Sequence, residues 1–400
     1  MRAESAFSSQ RSFGLLWAAV DLSSLGGWLL LPAVVAWGYQ GHESAATVSV
    51  LLLAWFFPAF ALRPLANAIA NGRSGKAVAI VALLARAAAL LPLMNARGDD
   101  TLASVGVALA LSGMAAAFAE ASFGPLLRSL ASGKQLEAAE GAMANGKLLA
   151  MIAGGAASTA LYVAGALQAV APAGIAAIVL SAALLLLARF PGSNSTTQQS
   201  NGGNGPLSVQ RGLLLSLRHP ALQEASAVKL VAALATGGIL VPQVAYMILG
   251  VFTAPENVGL IISAQGVGML VASATYRFVA DRYPRNSLVA LALGLASCGI
   301  FAFTLSGSIA GAMAFSLAIG AGLGVLSRSL FDLQTSVAGA ERSASISDGL
   351  GWAAEAPALL SMIALGPLTD LLSPRLALAL SAVILATLAL YAFGAITKEK

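Results

Sequence analysis

Five charged side chains, Asp21, Arg86, Glu120, Lys229 and Glu355, stand inside long apolar stretches. A charge in such a place is costly and marks a solute path, a proton relay or a fixed pair. A carboxylate there can lose and regain a proton and so couple a proton gradient to the movement of a solute; Asp21, Glu120 and Glu355 are the candidates. Lys229 is a candidate for substrate contact or counter-charge. The plainer role is a static ion pair, for example Glu120 with Lys229, holding helices in register. Gln243, Tyr246 and Gln265 can contact a polar part of a solute or hydrogen-bond between helices.

Other chemistries find no support. Residues 141–147 have the spacing of a phosphate loop, but Leu148 fills the position that needs Ser or Thr and no strand precedes it. His42 and His219 are too isolated for a metal site or a nucleophilic triad. A single cysteine, Cys298, excludes an intramolecular disulfide and a Cys-based metal site. The net charge of +5 is spread thinly rather than gathered in a patch with interleaved aromatics, which argues against nucleic acid. No enzyme site and no cofactor are expected.

The elements that must position these residues are set by composition. Of 400 residues 58% are hydrophobic and 10% charged, against about 25% charged in soluble domains. A soluble fold cannot hide that much apolar surface, so the expected solvent is a lipid bilayer. Apolar stretches of about 18 to 27 residues, enough to cross about 30 Å of hydrocarbon, recur between short polar breaks. They place spans near 12–38, 45–66, 77–94, 102–127, 143–168, 173–190, 221–250, 258–279, 287–305, 309–331, 346–371 and 376–397. The first is too long, and lacks the small-residue site, to be a cleavable signal.

Twelve spans put both termini on one side, and basic residues test that count. Of 22 Lys and Arg, only Arg97 and Arg375 fall opposite, and Arg86 and Lys229 lie deep within spans; the other 18 lie in loops or at span ends on the side of the termini. That side is therefore expected to be cytoplasmic. Measured from it, the five buried charges lie about eight to ten residues deep, roughly 12–15 Å. The segment 191–220, rich in Gly, Ser, Asn and Gln, reads as a flexible cytoplasmic linker between six-helix bundles over 1–190 and 221–400.

The halves look like distant copies. Gly124-Pro-Leu-Leu-Arg128-Ser-Leu130 after span four matches Gly324-Val-Leu-Ser-Arg328-Ser-Leu330 after span ten; Arg63-Pro-Leu-Ala-Asn67 after span two matches Arg277-Phe-Val-Ala-Asp281 after span eight. Internal duplication of this kind is typical of secondary transporters.

Six plus six spans, a polar central linker and basic loops after spans two and eight together resemble the major facilitator superfamily. Its loop signature is partly kept at Arg277, Asp281, Arg282 and Arg285, and more loosely at Arg63, Asn67 and Arg73, where Asn67 stands in place of the family's acid. The resemblance implies cytoplasmic gating loops at those residues, and a central cavity lined by spans one, four, seven and ten, with span three outside it so that Arg86 faces lipid or the bundle exterior. Residues 16–31, 328–334 and 366–370 resemble exporters of the enterobactin and macrolide efflux type, and residues 66–73 are similar to lysophospholipid transporters. What this implies is a secondary active transporter in a plasma (bacterial inner) membrane, exporting a drug-like or siderophore-like small molecule with protons as coupling ion. A lysophospholipid flippase and a non-transporting receptor or scaffold are the alternatives. A complete pathway in one chain makes a monomer sufficient.

Overall fold

The computed structural model describes residues 2–72, 74–96, 101–190, 207–218, 220–251, 255–338 and 340–398. Among these residues the regular structure is entirely helical. Hydrocarbon offers no partner for a backbone N–H or C=O, so a spanning segment must satisfy its own, and a helix does so. Twelve segments are long and apolar enough to cross a membrane. They are carried by α1 (Arg2–His42), α2 (Ala45–Gly72), α3 (Gly75–Ala89), α4 (Leu102–Leu130), α5 (Lys134–Leu187), α7 (Pro220–Thr236) with α8 (Leu240–Tyr246), α9 (Val258–Ala280), α10 (Arg285–Phe303), α11 (Ile309–Ala338), α12 (Ala340–Leu371) and α13 (Pro374–Lys398). The helix α5 runs unbroken through two spans, Ala138–Gly165 and Leu167–Leu187.

Two expectations from the sequence are corrected. The segment 191–220 is not linker throughout, because Leu207–Arg218 forms the helix α6; residues 191–206 and 219 lie outside those described. Arg63 and Asn67 are not in a loop after span two. They sit inside α2, which continues to Gly72 and contains both Pro58 and Pro64. Proline reads as a helix stop in water, but in lipid neighbouring helices supply the lost partners. Arg73 lies outside the described residues.

By packing, the chain divides into one unit of residues 1–33 and 54–207 and another of residues 34–53 and 208–400. The first unit is held by close approach of backbones. Gly113 of α4 lies so near the carbonyl oxygen of Trp55 that a methyl group at Gly113 has no room. Ser181 donates to the Ala19 carbonyl at 2.6 Å, tying α5 to α1, and Lys76 Nζ caps the end of α5 through the carbonyls of Leu186 and Ala188 at 3.0 and 2.7 Å. Large apolar side chains such as Val81, Val107 and Val163 stay exposed, as expected where lipid is the solvent.

In the second unit α11 packs against α9 and α10 through glycines. Gly324 lies against Met269, and Gly322 against Ala292 and Ala296. Small residues let backbones approach and gain dispersion contact where no hydrophobic effect drives helices together. Ser297 Oγ donates to the Ala382 carbonyl at 2.7 Å, joining α10 to α13. The start of α2 belongs to this unit and is capped from far along the chain: Asp370 at the end of α12 accepts from Ser44 Oγ at 2.8 Å and from the backbone N–H of Ala45 and Ala46 at 2.8 and 3.0 Å. A carboxylate at a helix N-terminus satisfies orphan donors and opposes the helix dipole.

Losing that cap costs about 0.5–2 kcal/mol by analogy with N-cap deletions. Asp370→Ala is therefore expected to lower the unfolding temperature of the purified protein in detergent. Asp370→Asn, which keeps one accepting oxygen, is expected to lower it less; equal loss in both would show that charge rather than hydrogen bonding does the capping.

Candidate functional site

The sequence places charges in apolar stretches, and the first unit brings five of them into one electrostatic group. Asp21 on α1, Arg63 on α2, Arg86 on α3, Glu120 on α4 and Lys147 on α5 come from five different helices. Lys147 acts on both Asp21 and Glu120, while Arg63 and Arg86 also act on Glu120. The charged partners of Glu120 thus lie within its own unit.

Arg86 does not face lipid. It is 6% exposed, and its Nη1 donates to the carbonyl oxygen and hydroxyl of Ser23 at 3.3 and 3.1 Å. Its other Nη lies where a side chain on Gly27 would begin, so the glycine leaves the room the guanidinium needs. Four apolar residues buried with it, Ala79, Ala82, Leu83 and Ala87, place it on the inward stripe of α3.

Asp21 is packed differently. Its carboxylate lies against the backbone of Gly146, where any side chain would collide with both oxygens. One of those oxygens, Oδ1, is buried without a hydrogen-bond partner. Glu120 and Lys147, by contrast, are exposed. The group therefore combines one buried cation, Arg86, two half-buried members, Arg63 and Asp21, the latter with an open acceptor, and an accessible acid and base, Glu120 and Lys147. Such a set can take up a proton and exchange partners.

In the second unit Lys229 on α7 and Glu355 on α12 are both half-buried, on helices that pack together where Gly237 meets Ala358. Gln243 on α8 and Gln265 on α9 are joined by a hydrogen bond of 3.2 Å from Gln265 Nε2 to Gln243 Oε1. Tyr246 is 2% exposed and its hydroxyl is committed to the carbonyl oxygens of Thr304 and Ser306, at 2.8 and 3.1 Å. Its ring also packs against Phe303, with the Arg375 guanidinium 5.5 Å above it. Among the loop residues, Arg277 lies in the last turn of α9, Asp281 is its exposed C-cap, and Arg282 is exposed. Arg285 opens α10 and donates to Ser336 Oγ at 3.2 Å. The Arg328 of the repeated motif donates to Ser273 Oγ at 2.8 Å. No group of three or more potential metal ligands occurs among the described residues.

A family model described as Major Facilitator Superfamily matches residues 16–354. Among solved structures, the nucleoside transporter NupG superposes with a TM-score of 0.76 at 12% identity, covering 96% of this chain and 98% of that one. A point mutant of the same transporter gives 0.74 at 12% identity over 96% and 99%. The E. coli fucose:proton symporter FucP gives 0.60 at 14% identity over 95% and 98%. At such identities these structures establish the fold alone. No curated protein matches the chain by sequence.

The packing of Arg86 makes a test. Removing the Arg86 guanidinium leaves the Ser23 carbonyl and hydroxyl without their donor, at about 1–3 kcal/mol, and takes one of three cations from Glu120. Arg86→Met is expected to destabilise the purified protein strongly, and the double change with Glu120→Gln to recover part of the loss in a thermal-unfolding assay. No recovery would show that Arg86 is held by Ser23 alone.

Proposed function

The chain belongs to the major facilitator superfamily, and from that premise we propose that it is a proton-coupled secondary active transporter whose coupling group is centred on Asp21 and Glu120. It is a multi-pass membrane protein of a family of transporters. The proposed transport cycle is alternating access, with a small molecule and protons as its solutes, and a monomer is sufficient.

The observation that carries this reading is the state of Asp21. A buried carboxylate oxygen without a partner costs free energy unless a proton, a solute donor or a moving cation reaches it during the cycle. Asp21 has one cationic partner, Lys147, whereas Glu120 has three. When Lys147 turns away from Asp21 in the solute-free protein, a proton is the simplest replacement counter-charge at Asp21. A solute that drives Lys147 back expels that proton, so solute and proton are exchanged. Glu120 and Lys147, both exposed, are where solute and water enter that exchange.

Direction and substrate class follow from the resemblance of residues 16–31, 328–334 and 366–370 to efflux proteins: export of a drug-like or siderophore-like molecule across a bacterial inner membrane, with both termini cytoplasmic. The solved neighbours are named for nucleoside transport and fucose:proton symport, so a small polar solute belongs in the same test. In this reading Arg277, Asp281, Arg282 and Arg285, with Arg73, gate the cytoplasmic side.

The test is proton movement in proteoliposomes carrying an internal pH-sensitive dye. Lipophilic cations, siderophores, nucleosides and lysophospholipids are offered in turn to the parent, Asp21→Asn and Glu120→Gln. One compound class is expected to move protons in the parent, and this signal to fall to that of protein-free vesicles in both variants while they remain folded. Undiminished flux in both would remove the coupling role from these residues. A response confined to lysophospholipid would replace export of soluble compounds by lipid flipping.

A further inference from the structure

Span seven is not one helix. The helix α7 ends at Thr236, Gly237 and Gly238 form a turn, α8 resumes at Leu240, and a turn of π-helix follows over Met247–Val251. Irregular backbone at membrane depth is tolerated only where protein covers it or a cavity receives it, and discontinuous helices mark solute sites in transporters. Here α12 covers the turn: Gly238 N–H donates to Ser361 Oγ at 3.0 Å, and neither glycine has room for a side chain against Ala358 and Ser361.

Just beyond the break stands Gln243, 1% exposed, with its Nε2 buried and without a partner. Its Oε1 accepts from Gln265, whose backbone is pinned by the close approach of Gly320 on α11. Tyr246, one turn further on, cannot help because its hydroxyl is spent on the carbonyls of Thr304 and Ser306. One hydrogen bond between two amides uses one N–H group and one oxygen acceptor site. It leaves the NH2 of one amide and an oxygen of the other for a third partner, and turning both amides over leaves the same complement.

We propose that Gln243 and Gln265 form a recognition site for a neutral planar group that carries a hydrogen-bond acceptor beside a donor, as in a primary amide, a lactam or the imide edge of a pyrimidine. The acceptor takes the free N–H of one glutamine and the donor gives to the free oxygen of the other. A ligand of this kind meets the donor that the protein leaves unsatisfied. Half-buried Gln265 is the exposed side of the pair, through which the ligand enters. Neutral recognition at this site leaves the charge group of the first unit free for protons. The inference deepens the transporter reading and rests on it for the word substrate, but not for binding.

The experiment is calorimetric titration of the full chain in lipid nanodiscs with nicotinamide and with uridine, each beside a counterpart N-methylated at the donor. At least one unmethylated probe is expected to bind, and its methylated counterpart to bind about tenfold or more weakly. Gln243→Glu keeps the shape and the bond to Gln265 but turns the free donor into an acceptor, and is expected to abolish binding. Failure of both probes to bind, equal binding of the methylated forms, or binding unchanged in Gln243→Glu would overturn the site and leave a buried water as the amide's partner. Proton-linked flux measured on the same preparations separates the two readings. Flux with other compounds but no probe binding removes only the amide site, and probe binding without flux with any compound removes only the transporter reading.

Discussion

Everything in this molecule follows from the absence of water along the spans. A backbone group or a charge that loses water must find its partner within the protein, and the structure is the set of solutions to that demand. Regular helix solves it for most of the backbone. The exceptions are informative because each is met by a specific group: Asp370 for the first N–H groups of α2, Lys76 for the last carbonyls of α5, Ser361 for the turn at Gly238. Serines within helices, such as Ser122 and Ser263, turn inward and donate to the carbonyl four residues back. Against that background, seven buried polar atoms among the described residues lack a partner; four are serine hydroxyls, and the others are Asp21 Oδ1, Arg86 Nε and Gln243 Nε2.

Hydropathy makes twelve spans legible from sequence, since span length is a direct consequence of bilayer thickness. What hydropathy does not carry is the direction in which a side chain faces. Arg86 reads as an exterior charge because span three is expected at the edge of such a bundle, yet its buried stripe of Ala79, Ala82, Leu83 and Ala87 was present in the three-and-four spacing of small and apolar residues. Arg63 is misplaced for a different reason. A basic residue beside Pro64 looks like the end of a span, and only the neighbouring helices reveal that α2 continues through it. Lys147 belongs to the same class: its position near the start of a span suggests a loop charge, and its partners lie 126 and 27 residues back, at Asp21 and Glu120. The repeated motifs also diverge in use, for Arg63 reaches into a charge group whereas Arg277 ends a helix and is exposed.

The two units also divide the chemistry. In the first, the side chains that matter are ionic and come from five helices, so the geometry of the group changes whenever any one helix tilts. In the second, the unmatched amide of Gln243 is neutral, mounted on a broken helix and braced by glycine packing. A coupling ion needs groups whose charge can change, and solute recognition needs groups whose charge stays fixed during that change.

The charge count of this five-residue group constrains the proposed coupling. Arg63, Arg86 and Lys147 supply three positive charges and Asp21 and Glu120 two negative ones, leaving an excess of one with all five ionised. A proton added to Asp21 beside an unmoved Lys147 doubles that excess inside a low-dielectric protein. The cheaper sequence is replacement: Lys147 withdraws toward another anion or toward water, and the proton takes its place. Because Asp21 lies against Gly146, the residue next to Lys147, a displacement of α5 that carries the lysine away also opens the space around the carboxylate. In the proposed cycle proton uptake and helix movement are then one event, which a side chain at residue 146 would uncouple by holding Asp21 off the helix in every state.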